Sequence, residues 1–183
     1  LDPLSPFSNF SAAFVLAFAG AYEEAAERAR RTLDLYPDVP LAMYALGWAE
    51  VGLGRFAEAL AVFERAADRS PNPIGLSYVA FAAGRADRKK AARELLERLT
   101  RGADEPLPDF ARALIHVGLS DVDRAFDCLE RSLVEHDSRI FWFSVVPGLE
   151  TLREDPRFAD LSRRIMLACA APPPAARTGE AKP

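Results

Sequence analysis

The chain repeats itself, and that constrains its fold more than any other feature. The stretch Ala19-Gly20-Ala21-Tyr22-Glu23-Glu24-Ala25-Ala26 returns as Leu53-Gly54-Arg55-Phe56-Ala57-Glu58-Ala59-Leu60. Gly20 and Gly54 lie 34 residues apart, and Tyr22 with Phe56, Ala25 with Ala59 and Pro37 with Pro71 keep that offset. Backwards, Pro3 precedes Pro37 by 34; forwards, Ala92 and Ala125 continue from Ala59 in steps of 33. Four residue types held at one offset make a repeat array, in which each unit buries its apolar face against its neighbours.

Local chemistry gives each unit the shape of a helix pair. Gly20 and Gly54 can take a left-handed turn between helices, and Ala25, Ala59, Ala92 and Ala125 allow close helix contact. Pro37 and Pro71 end the second helix of their units. Apolar residues three and four apart, as in Ala59, Leu60, Phe63, Ala66 and Ala67, mark the helical stretches. The expected pairs are 7–19 with 22–36, 40–52 with 56–69, 74–84 with 88–100 and 107–118 with 122–135. Units three and four are degenerate and lack the closing proline. Gly84 sits early with Asp87 as N-cap candidate, and either Ser120 or Asp121 starts the final helix of the pairs.

A period near 34 with two antiparallel helices per unit is that of the tetratricopeptide repeat. The expected fold is all-α: a right-handed tetratricopeptide superhelix of antiparallel helix pairs with a C-terminal capping helix. Residues 1–5 read as the end of a preceding repeat and 6–135 as four repeats, divided 6–39, 40–72, 73–105 and 106–138. Residues 139–168 read as a capping segment and 169–183 as a disordered tail, Ala-Pro-rich from Ala170. Within the cap, Pro147 starts a short helix over 146–153. Asp155 caps a last helix with Phe158, Leu161 and Ile165 on one face. The start at Leu1 and the place of Pro3 read as an array that begins further upstream.

Half of the 183 residues are hydrophobic and 27% are charged, which suits an array with many buried interfaces. A net charge of −4, from 23 basic and 27 acidic side chains, argues against nucleic acid as a partner. No apolar run reaches membrane-spanning length, Ala12 to Ala21 being the nearest, so no membrane is expected. Two cysteines, Cys128 and Cys169, cannot build a disulfide framework, and a cytoplasmic setting is expected.

Three further blocks carry a closer likeness. They are Leu1-Asp2-Pro3-Leu4-Ser5-Pro6, Ala125-Phe126-Asp127-Cys128-Leu129-Glu130-Arg131-Ser132 and Leu152-Arg153-Glu154-Asp155-Pro156-Arg157-Phe158-Ala159-Asp160-Leu161. Together they resemble the C-terminal tetratricopeptide regions of large bacterial regulators, where the array follows a winged-helix, Ser/Thr kinase or nucleotide cyclase domain. The resemblance covers residues 1–167, and its most specific part is the Leu-Arg-x-Asp-Pro-Arg-Phe segment. The sequence departs from it in the short loops of units three and four. It departs again at Pro147-Gly148-Leu149, where relatives carry Asp-Pro-x-Phe. The resemblance implies an all-helical interaction module, with a sensory or autoinhibitory arm as the alternative.

No arrangement for catalysis is visible. His116 stands between Ile115 and Val117 where repeats carry a packing aromatic; a ligand or base role there, in a small-ligand binder or enzyme, is the alternative. His136 follows Glu135 at a helix end and can cap carbonyls or face solvent. Cys128 reads as a small packing residue and Cys169 as an incidental thiol. No metal-ligand spacing and no phosphate loop occurs, so neither enzyme activity nor a cofactor is expected. Arginine clusters at Arg28 to Arg31, Arg85 to Lys90 and Arg163-Arg164 are interleaved with acids, which reads as surface ion pairing.

The informative surface is the concave one, lined by the first helix of each pair. Phe7, Phe10, Phe14 and Phe18 point inward from unit one, and Leu41, Tyr44, Trp48 and Val51 from unit two. Ile74, Ser77 and Phe81 follow from unit three, and Leu107, Phe110 and Leu114 from unit four. Lysine and asparagine, which hold a terminal carboxylate in groove-binding relatives, are missing from these positions. The expected partner is a protein or peptide with an apolar helix or extended segment, Tyr44 and Trp48 being its anchors. A patch this aromatic must be filled by a ligand, a neighbouring chain or the chain's own C-terminal part. Homodimerisation through the first repeat is the neighbouring-chain version.

Overall fold

The computed structural model describes residues 5–101 and 106–170. The expectations for residues 1–4 and for the tail over 171–183 lie outside these. Among the described residues the helices are α1 (Pro6–Phe18), α2 (Tyr22–Leu35), α3 (Pro40–Gly52), α4 (Phe56–Arg69) and α5 (Pro73–Arg85). They continue as α6 (Lys89–Thr100), α7 (Asp109–Gly118), α8 (Val122–Val134) and α9 (Pro156–Ala170). Two 3₁₀ turns, Ser138–Trp142 and Leu149–Leu152, lie between α8 and α9. The four expected pairs are all present, and among the described residues the secondary structure is all helical.

Each of the first three units opens on proline at the first helical position: Pro6, Pro40 and Pro73. Its φ is preset for a helix, and the missing N–H is one the helix end leaves unpaired anyway. The turns inside the units close alike. The N–H of Ala21, Arg55, Arg88 and Asp121 donates to the carbonyl five residues back, at 2.8–2.9 Å. The residue before each donor is left-handed: Gly20 (φ 85°), Gly54 (73°), Asp87 (61°) and Ser120 (62°). Asp87 therefore occupies the glycine's place and is not the N-cap, since Arg88 precedes α6 without a side-chain cap. Of the two candidates before α8, Asp121 is the cap and accepts from the Arg124 N–H at 3.3 Å. His136 (φ 55°) closes α8 in the same way through its backbone, with its side chain exposed.

The units stack by three different means. Small side chains, among them Ala13, Ala17, Ala25, Ala29, Ala45 and Ala49, join α1, α2 and α3. Aromatic rings join α3 to α4 and α5, with Trp48 centred 5.0 Å from Tyr78, 5.4 Å from Phe63 and 5.6 Å from Phe81. Between α5 and α7 the backbones themselves meet at Gly84 and Gly118, where a Cβ on either would lie 2.5 Å from main-chain atoms of the other helix. Two buried carboxylates add polar ties. Glu50 of α3 pairs with Arg30 and, at 3.3 Å, with Arg55. Asp109 of α7 accepts from Arg112 at 2.8 Å and from Arg131 of α8 at 3.1 Å.

The capping segment differs from expectation in part. Pro147 does not begin a helix. Gly148 takes φ 91°, which breaks the chain direction and leaves only Leu149–Leu152 as a 3₁₀ turn. The turn over Ser138–Trp142 was not foreseen. α9 forms as expected and runs to Ala170, so residues 169 and 170 belong to it rather than to the tail. It is held by Phe158 against Phe143 at 4.5 Å and by buried Leu161. The Arg164 guanidinium meets the Glu130 carboxylate through two bonds of 2.7 Å. Asp155 accepts from the Arg157 N–H at 2.9 Å, and the Arg157 guanidinium holds its carboxyl down at about 2.

Candidate functional site

The face formed by α1, α3, α5 and α7 is half filled by the chain itself. Residues 138–152 fold back onto it near the ends of α1, α3 and α5. Trp142 stacks 5.3 Å from Phe18, and Gly148 lies against the Phe81 ring and Val51. Ile140, Phe143, Val146, Leu149 and Leu152 share one buried cluster with Trp48, Val51, Phe81, Phe110 and Leu114. Tyr22, at the start of α2, sits beside Glu150 and Arg153, and burial with the nearby Glu150 charge raises its hydroxyl pKa.

Beside this segment two cavities remain. The first, of about 330 Å³, is walled by Phe14, Val15, Phe18, Trp48, Ile74, Tyr78, Phe110, Ala111 and Leu114, and closed by Arg139, Trp142 and Val146. The second, of about 490 Å³, lies among the first turns of α3 and α5, lined by Phe14, Pro40, Leu41, Tyr44, Ser70, Asn72, Ile74, Gly75 and Tyr78. Phe14, Ile74 and Tyr78 belong to both, so the two form one interrupted groove. Arg139 is the one ionised side chain among the lining residues, paired with Asp137 at 2.8 Å. Burial, with a smaller contribution from Tyr44, pushes the Tyr78 hydroxyl up to about 12, so it stays a neutral phenol.

The sequence-derived groove residues divide accordingly. Phe14, Phe18, Trp48, Ile74, Phe110 and Leu114 meet in the first cavity, and Leu41 and Tyr44 join Phe14 and Ile74 in the second. Val51 and Phe81 lie beneath the folded-back segment. Ser77 is fully buried, its hydroxyl donating to the Ile74 carbonyl at 2.6 Å. Leu107 precedes α7, which starts at Asp109, and packs with Ala80, Leu99, Ala111 and Ile115 instead. These four do not face the open groove. Trp48 and Tyr44 do, but only 3% and 7% of their surface is exposed, so both are core residues first. Tyr78, Arg139, Trp142 and Val146 were missed; the last three come from the segment read only as a cap.

His116 lies outside the groove. It borders a polar hollow with Arg93, Glu97, Asp121 and Arg124, and its buried Nδ1 has no hydrogen-bond partner, Asp121 Oδ2 being 3.7 Å away. Burial lowers its pKa below 6.5, Asp121 opposes this, and Arg124, Arg112 and Arg131 reinforce it. A histidine depressed in the native state binds its proton more readily when unfolded. Its contribution is therefore complete above about 6.5 and is lost as pH falls through the lower native value. Thermal unfolding is expected to show Tm dropping from about pH 7.5 to about pH 5, and His116→Gln to shrink that drop. An unchanged drop in the variant would assign the effect to other groups.

Cys128 is buried and accepts from Arg131 at 3.1 Å; burial raises its thiol pKa, which suits packing and not nucleophilic chemistry. Among the described residues no cluster of ligating side chains could hold a metal, and no helix is long and apolar enough to cross a membrane.

Comparison with known proteins agrees with this architecture. A tetratricopeptide repeat family model matches residues 12–72, which run from within α1 to just short of α5. The Hsp70-Hsp90 organizing protein of Triticum aestivum is 37% identical over 101 residues, 55% of this chain. The match covers 16% of that relative's own length.

Proposed function

We propose, for a chain whose residues 12–72 are tetratricopeptide repeats, a non-catalytic role in protein–protein interaction, with the open half of the groove seating an apolar segment of a partner. Such repeats mediate contacts between proteins, and rigid stacked helix pairs suit the task because they hold a surface in shape without a ligand. One observation carries the reading. The cavities are walled mainly by aromatic and aliphatic side chains, and the rim residues Val15, Leu41 and Trp142 are 67%, 47% and 50% exposed. Exposed apolar surface continuous with a pocket is characteristic of interaction sites. In the cell this module would serve as the partner-binding arm of a larger cytoplasmic regulator.

The wheat relative's name raises chaperones as partners. A groove in which Arg139 is the one ionised residue among the described lining residues has little with which to hold an acidic peptide terminus, and we favour an apolar ligand. Peptides selected by phage display on the whole chain test the reading. Val15→Glu with Trp142→Ala is expected to weaken the selected peptides about tenfold or more, with helical content unchanged. Both side chains are at least half exposed, so the packing of the helix pairs does not depend on them. Peptides that bind wild type and variant alike would refute the groove assignment.

A further inference from the structure

The groove already holds one ligand, the chain's own residues 138–152, and the chemistry of that ligand is specific. Ile140, Phe143, Val146, Leu149 and Leu152 are all buried and follow one another at every third position. Neither the α-helical period nor the strand period gives this spacing. It is the spacing of 3₁₀ turns, which bring residues i and i+3 into line, and two such turns occur here. Polyproline-II backbone, also three residues per turn, presents side chains in the same way.

The open cavity continues the surface on which this segment lies. Trp48, Phe110 and Leu114 pack with the folded-back residues and also wall the cavity, while Trp142 and Val146 form its near side. The two parts of the groove, of about 330 and 490 Å³, share Phe14, Ile74 and Tyr78, so a segment lying beside residues 138–152 can run from one into the other. Charge adds one further term. The Arg139 side chain is 44% exposed at this wall and meets one oxygen of Asp137, leaving guanidinium edge for a second carboxylate.

We infer that the partner segment is three-fold itself: a 3₁₀ or polyproline-II stretch with an apolar side chain at every third position and a carboxylate placed for Arg139. The inference rests on the interaction reading above and specifies its ligand. The two tryptophans of the chain, Trp48 and Trp142, both line the cavity and report on its occupancy by fluorescence.

Three synthetic peptides titrated into the full chain make the test: four copies of Pro-Asp-Leu, the same peptide with Lys for Asp, and an amphipathic helical peptide with leucines at helical spacing. The acidic three-fold peptide is expected to give a saturable change, with the other two weaker by about tenfold or more. Arg139→Gln should erase the preference for Asp over Lys; the wild-type comparison of those two peptides carries the same point if that variant loses helicity. Tighter binding of the helical peptide overturns the three-fold ligand and leaves the interaction reading standing. Failure of all three peptides, alongside failure of display selection, removes both. Tighter binding of a peptide of residues 171–183 would give the groove to the chain's own end and overturn the proposal.

Discussion

Truncating Phe81 to alanine is expected to destabilise the fold by about 4 kcal/mol, within the range for a fully buried phenylalanine that leaves a cavity. The ring is completely buried and touches both halves of the molecule. It packs 5.6 Å from Trp48 on one side, and Gly148 approaches so closely on the other that a Cβ there would lie 2.5 Å from Cζ. The same ring thus supports the stack of α3 on α5 and seats the folded-back segment. Loss of the seat has its own signature. Residues 138–152 should become susceptible to proteolysis, and Trp142 emission should shift to the red, at denaturant concentrations where the helices are intact. Denaturation followed in parallel by circular dichroism and tryptophan emission checks both parts. A loss below about 1 kcal/mol would mean that the site collapses around the void.

The second large effect is expected from Gly118→Ala, at about 3 kcal/mol, the upper end for overpacking. Its Cβ would lie 2.5 Å from the Phe81 carbonyl oxygen and 2.8 Å from the Phe81 Cα. Side chains can rotate away from an added methyl group; main-chain atoms inside a helix cannot. The helices must separate, and α7 would lose its register on α5. For a chain of this size the loss corresponds to about 6–12 °C in Tm. Gly84→Ala should behave similarly, because its Cβ would meet the Gly118 main chain at 2.5 Å. The double variant should cost less than the sum, since one separation relieves both clashes. Strict additivity in thermal unfolding would show that the two glycines do not share a contact.

The helix pairs were legible because the 34-residue offset fixes their number and Gly20, Gly54, Pro37 and Pro71 fix their ends. Asp87 was misread for a chemical reason. The short polar side chain that makes aspartate a good N-cap also makes it tolerant of left-handed backbone. Sequence showed the residue at a turn and not which of the two roles it takes. Helical geometry located Phe14, Phe18, Leu41, Tyr44, Trp48 and Ile74 but not the buried Ser77 or the 69% exposed Phe7, and it could not place Leu107, because α7 starts after it. What covers the groove was written in Ile140, Phe143, Val146, Leu149 and Leu152. A stripe at every third residue goes unseen when the templates are the periods of helix and strand. Whether Trp48 is an anchor or a core residue depends on that stripe, so it too needed the three-dimensional arrangement.

The folded-back segment also alters how the molecule comes to be. A solenoid of nearest-neighbour units has low contact order, and its pairs can fold progressively as each neighbour is made. Contacts such as Phe18 with Trp142 join distant parts of the chain and can form only after residues 138–152 leave the ribosome. Until then Phe18, Val51 and Phe81 stand uncovered on units that are otherwise complete. Every nascent copy therefore passes through a stage with the whole apolar face bare. The apolar surface open during synthesis is thus wider than the one the finished protein presents.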